Sequence, residues 1–152
     1  MPETNNVENL YSLVINHVTY LHNVFKQYAI LVHDEGFRKF LNSMASQEEA
    51  NVELIKEHKK DLHTYPAQVS GIQGLLSRID ELAMPIEDLK KFSRVDFLNF
   101  TLEIENATVD LYKGCESHCA HEGLLEFVHS LSEDEKRHAA LIKDRLELEQ
   151  LW

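Results

Sequence analysis

Residues 122–143, EGLLEFVHSLSEDEKRHAALIK, repeat residues 35–56, EGFRKFLNSMASQEEANVELIK, at a constant offset of 87. Eight of the 22 ungapped positions are identical: Glu35/Glu122, Gly36/Gly123, Phe40/Phe127, Ser43/Ser130, Glu48/Glu135, Leu54/Leu141, Ile55/Ile142 and Lys56/Lys143. The second copy carries Glu135-x-x-His138 where the first carries Glu48-x-x-Asn51. On a helix that spacing puts both side chains on one face, about one turn apart, where a carboxylate and an imidazole can share a metal ion. The repeat predicts a duplicated helical hairpin, with ligand chemistry whole in one copy and damaged in the other.

Outward from the repeat, apolar residues recur at three- and four-residue spacing in four long stretches, near 6–32, 37–62, 94–117 and 123–150. The first carries Val7, Leu10, Val14, Val18, Leu21, Phe25, Tyr28 and Val32; the second Phe37, Leu41, Met44 and Ile55. Gly36 and Gly123 are expected to punctuate two short turns, making each pair of helices an antiparallel hairpin. Pro66, Gly71, Gly74 and Pro85 mark the segment between the copies as a linker, with room for a short helix near 75–83. The expectation is an all-α four-helix bundle in one domain spanning 1–152. Repeat one covers about 6–63, the crossover about 64–93 and repeat two about 94–150.

Glu48, Glu105, Glu135 and His138 interrupt the apolar stripes in phase with their core neighbours. Charged groups on an inner face cost several kcal/mol each unless paired or metal-bound. Converging carboxylates would repel unless a cation or protons compensated, so the four are candidate metal ligands.

The segments LSEDEKRHAALI (131–142) and EIENATVDLY (103–112) resemble the ligand helices of the rubrerythrin-like branch of the ferritin-like superfamily. There the metal-binding Glu is followed seven residues later by an aromatic, as Glu105 is by Tyr112. The resemblance is strong over 94–143 and weak over 1–33. It implies a ferritin-like bundle and a centre that reduces peroxide or oxygen, or oxidises ferrous iron. Carried over by position, Glu105 would be a terminal ligand, Glu135 and Glu48 bridging carboxylates, and His138 the imidazole ligand. The offset of 87 sends Glu105 to Val18 and His138 to Asn51, and neither replaces the missing ligand well. One ion is therefore expected rather than two, iron by default, with zinc or manganese as alternatives. His22, one turn from Val18, reads as a polar residue at a helix boundary rather than as a rescuing ligand.

An enzyme of this kind would be a rubrerythrin-like oxidoreductase supplied by an electron donor of unknown identity. The chain lacks the paired Cys-x-x-Cys motifs of a rubredoxin-type centre. The alternative is a metal-free ferritin-like scaffold acting as a binding or interaction module. Cys115, His118, Cys119 and His121 form a separate cluster, read as turn residues with a partly buried thiol before a zinc or copper site. His33, His58, His63 and His129 read as solvent-facing.

The formal net charge of −11 argues against nucleic acid and anionic membranes as partners. The start, MPETNN, has neither the basic nor the apolar region of a secretory signal. Two cysteines make no disulfide framework, so a cytoplasmic location is expected. A homodimer is the largest assembly expected, with Leu151 and Trp152 available to dock on a neighbour.

Overall fold

A computed structural model of the chain describes residues 7–62, 73–117 and 122–151, and among them every regular element is helical. In order these are α1 (Val7–Leu31), α2 (Glu35–Leu62), α3 (Gln73–Leu82), a 3-10 helix (Ile86–Lys91), α4 (Arg94–Ser117) and α5 (Glu122–Glu149). The chain groups into two compact units. The first holds α1, α2 and Ile86–Lys90; the second holds α3, α4 and α5. Among the described residues no helix is long and apolar enough to cross a membrane.

In the first unit α1 packs on α2 across a turn of three residues, 32–34. Arg38 closes this turn by donating from Nε (3.1 Å) and Nη2 (2.6 Å) to the carbonyl of Val32, just beyond the α1 C-terminus. Asp34 stands at the N-cap of α2, its carbonyl accepting from the Arg38 amide at 2.9 Å, a position where Asp is favoured. Gly36, expected in the turn, lies inside the first turn of α2, and no described glycine has positive φ. Gly123 likewise falls within α5. The chain reverses on Asp34 and Arg38, and the glycine's conformational freedom is not used.

In the second unit α4 packs on α5, and α3 lies against α4. Ser93 caps α4: its carbonyl accepts from the Phe97 amide (2.9 Å) and its hydroxyl from the Asp96 amide (3.1 Å). Ser-x-x-Asp ahead of Phe97 and Leu98 is a helix-start signature. The expected crossover helix is α3. Its Ile79 is buried, and Arg78 pairs with Asp110 of α4 at 2.9 Å. At the other end of the pair, Glu149 of α5 accepts from Arg94 (3.1 Å) and from Arg145 (3.0 and 2.9 Å).

The duplication extends to the buried face. Val14/Thr101, Val18/Glu105, Leu21/Thr108, Phe25/Tyr112 and Tyr28/Cys115 are pairs 87 apart on α1 and α4, and both members of every pair are buried. On α2 and α5 the same holds for Phe37/Leu124, Leu41/Val128, Met44/Leu131, Ala45/Ser132, Glu48/Glu135, Asn51/His138, Val52/Ala139 and Ile55/Ile142. Equal spacing selects equal helix faces, so both hairpins use one packing scheme. What differs is the chemistry at single positions.

Candidate metal centre

Glu135 and His138 lie one turn apart on the inner face of α5, flanked by buried Leu131 and Ile142. Their exposures are 0% and 1%, and His138 Nδ1 stands 2.8 Å from Glu135 Oε1. Glu105, 0% exposed on α4, brings Oε2 to 3.7 Å from the same nitrogen. Each of the three offers a ligand atom, and these atoms lie within 4.8 Å of one another. The contact between α4 and α5 thus joins a carboxylate on one helix to a carboxylate–imidazole pair on the other.

The polar side chains around the three are largely satisfied by their own helix. Thr101 and Thr108, one turn to either side of Glu105, donate to the carbonyls of Leu98 (3.0 Å) and Ile104 (2.8 Å). These threonines stand where the first hairpin has Val14 and Leu21, and buried Ser132 stands where it has Ala45. The sequence reading did not single them out. The available signal was the offset itself, which pairs hydroxyls with apolar core residues.

Two carboxylates removed from water are expensive unless positive charge compensates, and a divalent cation would balance Glu105 and Glu135. The spacing suits one. Atoms bound to a common ion at about 2.1 Å stand about 3.0 Å apart at right angles and about 3.4 Å apart in a tetrahedron. The separations of 2.8 and 3.7 Å from His138 Nδ1 bracket that range. Two carboxylates and one imidazole are a donor set for iron, zinc or manganese.

Glu48 is 0% exposed on α2 in the first unit. At the positions matching His138 and Glu105, that unit buries Asn51 and Val18. His22 is not at a helix boundary but in the middle of α1, half-buried, with Nδ1 2.8 Å from the carbonyl oxygen of Ala45.

Of the remaining histidines, His33 is exposed, and so is His129, which pairs with Glu116 at 3.2 Å. His58 departs from expectation: it is half-buried, with Nδ1 2.8 Å from the Tyr11 hydroxyl. His63 lies outside the described residues, as do His118, Cys119 and His121 of the cysteine–histidine cluster. Cys115 is buried on α4. Leu151 is exposed, and Trp152 is outside the described residues.

No protein-family model, curated protein or solved structure matches this chain. The functional reading therefore rests on the residues themselves.

Proposed function

We propose that this chain is a ferritin-like metalloprotein with a single, asymmetric metal centre, iron first among the candidates. Glu105, Glu135 and His138 are its core ligands, and Glu48 is the fourth by its register in the repeat. The observation that carries this reading is the placement of two fully buried carboxylates within 4 Å of one buried imidazole nitrogen. A bound iron would supply one-electron chemistry toward peroxide, oxygen or further ferrous iron. The chain's own residues hold and orient the ion and keep bulk water from it, since each ligand is at most 1% exposed. In this reading the two hairpins belong to one ferritin-like domain, and the second supplies most of the ligands.

The test is metal analysis of gently purified protein, followed by anaerobic addition of ferrous iron. The expected result is about one ion per chain, lost in the Glu135→Ala/His138→Ala double variant. Absence of metal together with no uptake would overturn the proposal.

A second reading is favoured by the 2.8 Å contact between His138 and Glu135. A protonated imidazole there would take the cation's place, leaving a metal-free scaffold whose function lies in binding a partner. Thermal unfolding with and without chelator separates the two. A metalloprotein with free metal at 100 times its Kd gains about 2.7 kcal/mol, whereas the scaffold melts unchanged.

A further inference from the structure

Of the eight identities in the repeat, only Glu48/Glu135 and Ile55/Ile142 are buried, whereas six of the eight buried pairs on α2 and α5 differ between the copies. Packing alone would have the opposite effect, because exposed positions tolerate substitution best. The exposed identities need another cause. Four of them, Gly36/Gly123, Phe40/Phe127, Ser43/Ser130 and Leu54/Leu141, follow one another at steps of four, three and eleven residues. Alternating steps of four and three keep one seam of a helix turned toward a partner helix.

On α2 the seam runs Gly36, Phe40, Ser43, Gln47, Ala50 and Leu54, all exposed or half-buried and none charged. Glycine is disfavoured inside a helix, and a methyl at Gly36 would meet only Asp34 Oδ1, at 3.9 Å. Among the described residues nothing requires the glycine that both copies keep.

The seam is complementary to itself. Turned end for end about the level of residue 45, it sets Gly36 against Leu54 of a second copy, Phe40 against Ala50, and Ser43 against Gln47. Each larger side chain meets a smaller one, the alternation by which facing helices interdigitate. One flank of the seam, Phe37, Met44 and Asn51, is buried within the chain. The other flank carries Lys39, Ser46 and Glu53, all exposed. Like flanks face each other in an antiparallel pair, so Lys39 of each copy meets Glu53 of the other, and Ser46 meets itself. These contacts are attractive, in a chain whose net charge of −11 otherwise repels a second copy. Within the chain Lys39 and Glu53 are held only by exposed ion pairs, to Glu35 at 3.5 Å and Lys56 at 3.6 Å, which cost little to rearrange.

The same line on α5 has lost these properties. Its middle holds Asp134 and Arg137, bound to each other. On its flank Glu126, Glu133 and Ala140 replace Lys39, Ser46 and Glu53, so that two copies would bring like charges together. The seam therefore works once per chain, which closes a pair and does not propagate.

We propose that α2 docks antiparallel on α2 of a second copy through this seam, forming a twofold dimer. The dimer does not depend on the metal centre.

The test is the mass of the full chain by sedimentation equilibrium over a range of concentrations, with circular dichroism to confirm that each variant folds. The wild type is expected to dimerise. Ala50→Glu changes an exposed side chain and sets a carboxylate against Phe40, and should raise the dimer dissociation constant at least about tenfold. Leu141→Glu, at the α5 position matching Leu54, should leave it unchanged. Lys39→Glu and Glu53→Lys should each weaken the dimer several-fold, and the two together should restore it. A chain still monomeric at about 1 mM, a dimer that Ala50→Glu leaves intact, or one that the charge exchange does not rescue would overturn the proposal.

Discussion

The two hairpins share a packing scheme and differ in what they place on it. In the second, Glu105, Glu135 and His138 occupy buried positions that the first fills with Val18, Glu48 and Asn51. On α4, the positions matching His17, Tyr20 and His22 of α1 are Ile104, Ala107 and Val109, all buried, on a helix that also carries α3. In α1 those three residues are half-buried and polar. The comparison teaches that a helix face tolerates large changes of chemistry once its periodicity is set. Each copy has polar residues where the other has apolar ones, and the buried stripe survives in both.

The strongest way to break the comparison is to make the first hairpin chemically like the second. Val18→Glu with Asn51→His should cost about 3–5 kcal/mol in metal-free protein, because buried charge is then uncompensated. Adding a divalent metal should recover much of that loss and raise the stoichiometry by one ion. Urea unfolding with and without metal measures the first effect, and metal analysis the second. If no extra ion binds, the hairpins are not equivalent in the way the offset implies.

Next in size, His138→Ala should destabilise the protein by about 3–5 kcal/mol, since it strands two buried carboxylates. Asn51→Ala, at the matching position, should cost about 1–3 kcal/mol, the scale for a buried polar group. Equal losses in urea unfolding would show that the imidazole has no special role.

Smaller and opposite in sign, Gly36→Ala should stabilise the first hairpin by about 0.5–1 kcal/mol. The added methyl would meet only Asp34 Oδ1, at 3.9 Å, and the backbone there is helical. A lower melting temperature would mean that the turn needs the glycine after all.

The smallest effect concerns Glu133, exposed on α5. Its hydrogen bond from Lys136 (2.8 Å), aided by the lysine's charge, holds the carboxyl below its ordinary value of 4.5. A carboxyl depressed on folding stabilises above its unfolded pKa, and that contribution fades as pH falls through the folded value. Lys136→Ala should remove this slight acid dependence. The first hairpin has Glu49 at the matching position and Ser46 in place of Glu133, so its acid limb should not change. Titration of Glu133 by NMR in both proteins decides it.

Much of this was legible in the sequence because helical periodicity is redundant. Several core residues vote on each boundary, so the stretches expected at 6–32 and 94–117 are observed as Val7–Leu31 and Arg94–Ser117. Glu105, Glu135 and His138 could be found because an ionisable group in phase with a core stripe is costly and therefore conspicuous. Single residues at helix ends were harder. Gly36 follows Asp34, and both are turn formers, but α2 begins at Glu35, so the turn ends before the glycine is reached. His22 and His58 were misjudged for another reason. Their partners, the Ala45 carbonyl and the Tyr11 hydroxyl, are 23 and 47 residues away, and no local pattern encodes such contacts.

The clasp at the open end of the second hairpin bears on how its helices come to exist at all. Arg94 is the first residue of α4 and Glu149 the last of α5. A cation at a helix N-terminus and an anion at a C-terminus each oppose the dipole of their own helix. Each charge is misplaced for its own helix and well placed for its neighbour's. As a separate peptide α4 would carry that penalty in full, and α5 in part, since Arg145 of the same helix already pairs with Glu149; their antiparallel pairing adds an attraction between the two ends. The terminal turns of the two helices should therefore lose protection against amide exchange together, and added salt should loosen both at once.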